Sequence, residues 1–206
     1  MAIGLLLLAA ACSLTLFNIW DGKRAEKEAG DTLILLEEKM DRDIIANRQT
    51  DPASEDSGEE VPDYVLFPDM EMPVVKIDGE WYIGILQIPA LGLTLPVREQ
   101  WSYENLKNTP CCYAGSVYQN NMVIAGHNYA GHFRDLKNLA AGDEVRFTDG
   151  EGNRFCYQVS YMETLDQDET ETMTQESDDW DLTLFTCTYG GGARYAIRCI
   201  QKEDTE

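Results

Sequence analysis

Polarity along the chain divides it into four stretches. Met1 to Trp20, MAIGLLLLAAACSLTLFNIW, carries no charged side chain, and roughly 20 apolar residues give a helix long enough to cross a bilayer. Over residues 21–48, Leu33, Leu36, Met40 and Ile44 recur at helical spacing among charged neighbours, which predicts an amphipathic helix serving as a stalk. Residues 49–73, QTDPASEDSGEEVPDYVLFPDMEMP, are rich in proline, serine and acid and have no period, the mark of a linker. From 74 to 202 the signals are mostly strands. WYIGILQIP and LGLTLPV flank Pro89-Ala90, NMVIAGHN follows, and EVRFTD and RFCYQVSYMETL are joined by the turn GEGN. DLTLFTC and the segment from Ala193 to Ile200 form a last pair around Gly190-Gly191-Gly192. Helical stretches are brief, SYENLKNT and HFRDLKNLA. Many short strands separated by turns predict a closed or nearly closed barrel.

Charge narrows the partners. A net charge of −21 argues against nucleic-acid binding, which wants a basic face. Much of the acid lies in two runs, DPASEDSGEE and DQDETETMTQESDD, which read as solvated, flexible segments. Calcium at the second run, in the loop 166–179, is the alternative because its ligands are carboxylate oxygens; the ordered ligand spacing of an EF-hand is missing. The N-terminal stretch has two cleaved alternatives to an anchor. One is a signal peptide, which wants a basic start and a shorter apolar core. The other is a lipoprotein-like box, LAAAC, ending at Cys12. Apolar sequence running on through Leu14, Leu16, Phe17 and Ile19 favours an uncleaved span. Lys23, Arg24 and Lys27 follow it and nothing basic precedes it, which by the positive-inside rule puts the following domain in the cytoplasm.

The chemistry concentrates at strand ends. The chain has two histidines, His127 and His132, and His127 closes the strand NMVIAGH. Cys187 closes DLTLFTC, and Arg194 opens the next strand beyond the glycines. A thiolate is the reactive form of cysteine, and a nearby histidine or arginine favours it. A guanidinium also stabilises the oxyanion that forms when a carbonyl is attacked. Base or acid, nucleophile and clamp are thus all present. Singly, each residue has a plainer reading as a structural side chain; together they point to nucleophilic catalysis.

LTLFTC followed by an arginine opening the next strand resembles the active-site signature of the sortases, the cell-wall transpeptidases of Gram-positive bacteria. VIAGHN is similar to their histidine strand, IGILQIPALGLTLPV to their opening strands, and HFRDLKNLAAGDEV to the segment after the histidine. The resemblance implies a mostly β fold, an eight-stranded β-barrel with short helices, preceded here by the transmembrane helix and stalk. It implies Cys187 as nucleophile, His127 as general acid/base and Arg194 as the contact to the substrate carbonyl, with Thr186 and Asn128 as substrate contacts. Arg198 competes for the arginine role but lies inside its strand. No cofactor is implied. The expected partners are secreted proteins bearing a C-terminal LPxTG-type sorting signal, and an amine from a cell-wall precursor or a pilin.

Two departures stand out. Cys111, Cys112, Cys156 and Cys199 lie in a domain whose relatives are usually cysteine-poor; a disulfide and buried thiols are both open, and spacing does not select a pair. Sortases act outside the membrane, so the resemblance outweighs the charge rule and predicts an inside N-terminus and an extracellular domain, unless a basic tail lies upstream. A thiol hydrolase (cysteine peptidase) with water as acceptor, an inactive anchored binding module, and a redox protein using Cys111-Cys112 are the other readings.

Overall fold

The computed structural model describes residues 2–50, 61–175 and 177–202; the first acidic run lies wholly outside them. The apolar stretch and the charged helix after it are one element, α1 (Ala2–Thr50). Nothing covers its apolar half, and it is the one described helix long and apolar enough to cross a membrane. The second half carries a stripe of Gly22, Ala25, Ala29, Leu36 and Met40, all buried, at the spacing of one helix face. It does not stand clear as a stalk. Leu36 and Met40 pack on Val75, Ile77, Tyr82 and Ile85, while Ala29 joins the main core.

The domain is a β-barrel with short helical turns. In chain order the strands are β1 (Val75–Ile77), β2 (Glu80–Ile88), β3 (Leu93–Arg98), β4 (Cys111–Ala114), β5 (Met122–Ala125), β6 (Glu144–Asp149), β7 (Arg154–Asp166), β8 (Leu182–Cys187) and β9 (Ala193–Gln201). Neighbours run β2-β3-β4-β5-β8-β9-β7-β6, and β6 pairs back onto β2, so eight strands close a ring. Closure leaves no long unpaired edge in the wall. The ninth strand, β1, is a short hairpin arm on the start of β2. Most pairings are antiparallel; β3–β4 and β5–β8 are parallel.

Alternation along β8 separates two environments. Leu182 and Leu184 enter the barrel core with Ile124, Phe147, Tyr157 and Ile197. Phe185 faces the other way, into an outer apolar patch with Val123, Ala125, Leu165 and Ala196. That patch is roofed by Met173 from α2, the short helix Thr170–Thr174 within the second acidic run. The run is therefore not wholly solvated: Met173 is buried, although its acidic neighbours Asp168, Glu169 and Glu171 are exposed. Among the described residues no three metal-ligating side chains converge.

Candidate active site

β5 and β8 run parallel, Met122 beside Leu182 through Ala125 beside Phe185, and therefore end at the same rim of the barrel. Gly126 extends the pairing by donating its N–H to the Phe185 carbonyl at 3.0 Å, and His127 follows directly. A Cβ on Gly126 would lie 2.2 Å from the Phe133 ring, so the glycine lets the buried phenyl pass beneath the chain. The loop then folds back on His127, whose carbonyl accepts from the N–H groups of Tyr129 at 2.8 Å and Phe133 at 3.1 Å. His127 sits just beyond the strand, half-buried, rather than as its last residue.

Cys187 ends β8 and is exposed. Its register partner across the hairpin is Arg194, and directly opposed residues share a sheet face. Thus Cys187 and Arg194 emerge on the side of the outer patch, with Leu165 flanking Arg194 from β7. The connection between them is tight: Thr188 and Ala193 exchange hydrogen bonds, and Gly190 and Gly191 have φ of +95° and +76°. Those angles strain any residue with a Cβ, so glycines occupy the turn between the cysteine and the arginine. Arg194 Nη1 donates to the Gln167 carbonyl at 2.8 Å, leaving other guanidinium N–H groups to serve a ligand.

The remaining predicted residues fall in different places. Asn128 Nδ2 donates to the Cys187 carbonyl at 2.8 Å, tying the histidine loop to the cysteine strand. Thr186 faces away from Cys187, is 1% exposed, and its hydroxyl has no hydrogen-bond partner. Arg198, the rival arginine, is fully buried. Its guanidinium donates to Glu163 Oε1 at 2.7 Å, Thr183 Oγ1 and the Thr172 carbonyl at 2.8 Å each, and the Met173 carbonyl at 3.3 Å, and it lies 4.2 Å over the Trp180 ring. Four of its five N–H groups are spent pinning α2 to the barrel. Cys111, Cys112 and Cys199 are unbridged thiols of the barrel wall; burial pushes Cys111 and Cys199 up to about 12 and Cys112 to about 11, which favours the thiol over the thiolate near neutral pH.

Two residues of the site carried no sequence signal. Tyr129 stacks on His127 with ring centroids 4.0 Å apart and planes 5° from parallel. Its hydroxyl donates to Asp21 Oδ2 on α1 at 2.5 Å. Burial lowers the His127 pKa from its ordinary value; Asp21 opposes that shift and Lys107 adds to it. His132 is buried beneath α1, where desolvation pushes it down to about 4, with His127 adding to the shift and the Ala25 and Asn108 carbonyls working the other way.

An exposed thiol opposite a guanidinium, with a half-buried imidazole on the adjoining loop, lies at one rim of the closed barrel. Residues 86–202 match the family model of the Sortase domain. The chain belongs to the sortase family. It is 31% identical over 122 residues to Sortase D of Bacillus subtilis strain 168, a match spanning 55% of this chain and 61% of that relative. The fold is shared with the Sortase D5 transpeptidase of Clostridium perfringens at a TM-score of 0.60 and 20% identity, covering 86% of this chain and 99% of that one. Sortase C1 of Streptococcus agalactiae gives 0.56 and 21%, covering 82% and 90%. Sortase A of Listeria monocytogenes gives 0.54 and 19%, covering 59% and 88%. Relatives bearing three different sortase letters match at similar scores, so the fold does not select a subclass.

Proposed function

We propose that the protein is a membrane-anchored cysteine transpeptidase that cleaves a C-terminal sorting signal and passes the protein to an amine. The observation that carries this reading is the register pairing of Cys187 with Arg194 beside a histidine loop tied to the Cys187 carbonyl through Asn128. The Cys187 thiolate attacks the carbonyl carbon of the scissile amide. Arg194 donates to the oxygen as negative charge develops on it. The C–N bond breaks as the His127 imidazolium protonates the departing amine, leaving a thioester on Sγ and a neutral imidazole. An incoming amine attacks the thioester and loses its proton to His127, the C–S bond breaks, and the thiolate returns. No cofactor enters these steps.

The sorting peptide, an LPxTG-type segment, lies along the rim beside α2, next to the buried patch of Val123, Ala125, Phe185 and Ala196, where Cys187 and Arg194 emerge. The acceptor is an amine of a cell-wall precursor or a pilin in a Gram-positive envelope. The apolar half of α1 holds the enzyme in the cell membrane as a single pass, with the domain on the outer side. Because Cys187 is exposed, water competes with the amine, and hydrolysis is the side reaction. The test is to present sorting-signal peptides to the full chain in detergent micelles, with and without amines. Amide products that appear only with an amine support transpeptidation. Hydrolysis indifferent to the amine would make the protein a peptidase.

A further inference from the structure

The helix that emerges from the apolar run reaches the histidine loop at its first charged residue. Asp21, directly after Trp20, accepts the Tyr129 hydroxyl proton in a 2.5 Å hydrogen bond. Arg24 fixes that carboxylate from one turn along, its Nε donating to Asp21 Oδ1 at 3.1 Å. The same guanidinium bonds Glu28 at 2.6 Å and the Asn108 side chain at 3.0 Å, fastening the helix to the domain. The backbones approach closely. Gly22 is buried against the Tyr129 ring, and a Cβ on Gly131 would stand 2.6 Å from that of Glu26.

We propose that Asp21 is a positioning residue for His127, acting through Tyr129, so that the active site is complete only while α1 is docked on the histidine loop. The proposal rests on the reading of His127 as the acid/base. Two effects follow from the geometry. The parallel stack at 4.0 Å restrains rotation of the imidazole, and Asp21 restrains the stacked ring. A tyrosine that donates to a carboxylate presents a more electron-rich face, and an aromatic face attracts a cation above it. The carboxylate and the ring thus both favour the imidazolium needed to protonate the leaving amine.

Other charges facing His127 set the balance. From the turn after the short helix Tyr103–Leu106, Lys107 opposes the imidazolium, as does burial of the ring. On α1, Arg24 offsets part of the Asp21 charge, and His132 lies on the same loop. Cys187, with Arg194 opposite it, lies on the strand that Asn128 joins to the His127 loop. Asp21, held as a carboxylate first by its bond to Tyr129 and then by Arg24, is the charged group on α1 that favours the charged form of His127.

The experiment uses the full chain in detergent micelles and compares Asp21→Asn, Asp21→Glu and Tyr129→Phe with the parent. With two histidines in the chain, the imidazole C–H signals are resolved by NMR, and His127→Gln assigns them. Asp21→Asn is expected to lower the His127 midpoint by about half a pH unit, the effect of one partly screened charge. The alkaline limb of turnover should move with it, and kcat should fall about 10-fold while KM stays within about 2-fold. Tyr129→Phe keeps the ring and removes the bond, so it should shift the midpoint the same way by less, and Asp21→Glu should restore most of the parent behaviour. A His127 midpoint and pH profile unmoved in both Asp21→Asn and Tyr129→Phe overturn the proposal. The NMR titration needs no turnover, so it fails or succeeds independently of the transpeptidase reading, which Cys187→Ala tests.

Discussion

Replacing Arg198 with lysine keeps the charge and removes the planar fork. The guanidinium serves four acceptors, Glu163, Thr183 and the carbonyls of Thr172 and Met173, and covers the Trp180 ring. An ammonium on a simple stem retains the Glu163 pair at best with one further partner, so the two carbonyls of α2 lose their donor. A hydrogen bond to a charged group contributes about 1.5–3 kcal/mol net, and the cation–π contact about 0.5–1 kcal/mol. Solvation of the released carbonyls returns part of this, leaving a loss of about 3 kcal/mol, a large fraction of the roughly 5–15 kcal/mol of a typical domain. With α2 loosened, Met173 no longer roofs the outer patch. Urea unfolding and steady-state peptide cleavage measure the two consequences together. The midpoint should fall sharply and KM should rise about 10-fold, while kcat at saturation stays within about 3-fold. A kcat loss of about 100-fold with stability intact would refute the reasoning, because it would make Arg198 rather than Arg194 the group that meets the substrate carbonyl.

Three further outcomes follow from neighbouring residues. Arg194→Lys should reduce kcat by about 100-fold or more with little change in stability, since Arg194 spends one N–H on Gln167 and is half-buried at the rim; matched kinetics and unfolding curves check it. Gly126→Ala should destabilise the domain by about 1–3 kcal/mol, as its Cβ would meet the buried Phe133 ring at 2.2 Å, and it should also displace His127; thermal unfolding and turnover report both. His132 binds its proton near 4 in the folded chain and near 6.5 when unfolded. The unfolded state therefore takes up more protons between those values, and stability falls as pH drops through that window, by about 3 kcal/mol in full. His132→Leu should flatten that dependence, read from urea midpoints at pH 7, 6 and 5.

The sequence made some of this architecture legible and hid the rest for identifiable reasons. The β6–β7 hairpin follows from sustained alternation around GEGN. The pairing of Cys187 with Arg194 follows from the glycine turn between two clear strands. β1 and β4 escaped because three and four residues carry too little pattern, and β4 is further broken by a bulge between Cys112 and Ala114. SYENLKNT and HFRDLKNLA shrink to the helix Tyr103–Leu106 and a single turn at Leu136–Asn138. The apolar stripe of α1 was visible, but a stripe does not say which surface it meets. Its docking brings Asp21 to Tyr129 across 108 residues of sequence, a contact with no local signature. Thr186 shows the converse limit. It neighbours Cys187 in sequence, yet strand alternation turns it toward the core, while Asn128 donates to the Cys187 carbonyl.

In the proposed reaction Cys187 carries the peptide as a thioester. The most direct test is the intact mass of the full chain after rapid mixing with a sorting-signal peptide, followed by peptide mapping and hydroxylamine treatment. The expected adduct equals the N-terminal fragment of the peptide, sits on Cys187, is released by hydroxylamine and is absent in Cys187→Ala. Undiminished cleavage by Cys187→Ala, or an adduct on another residue, would contradict it.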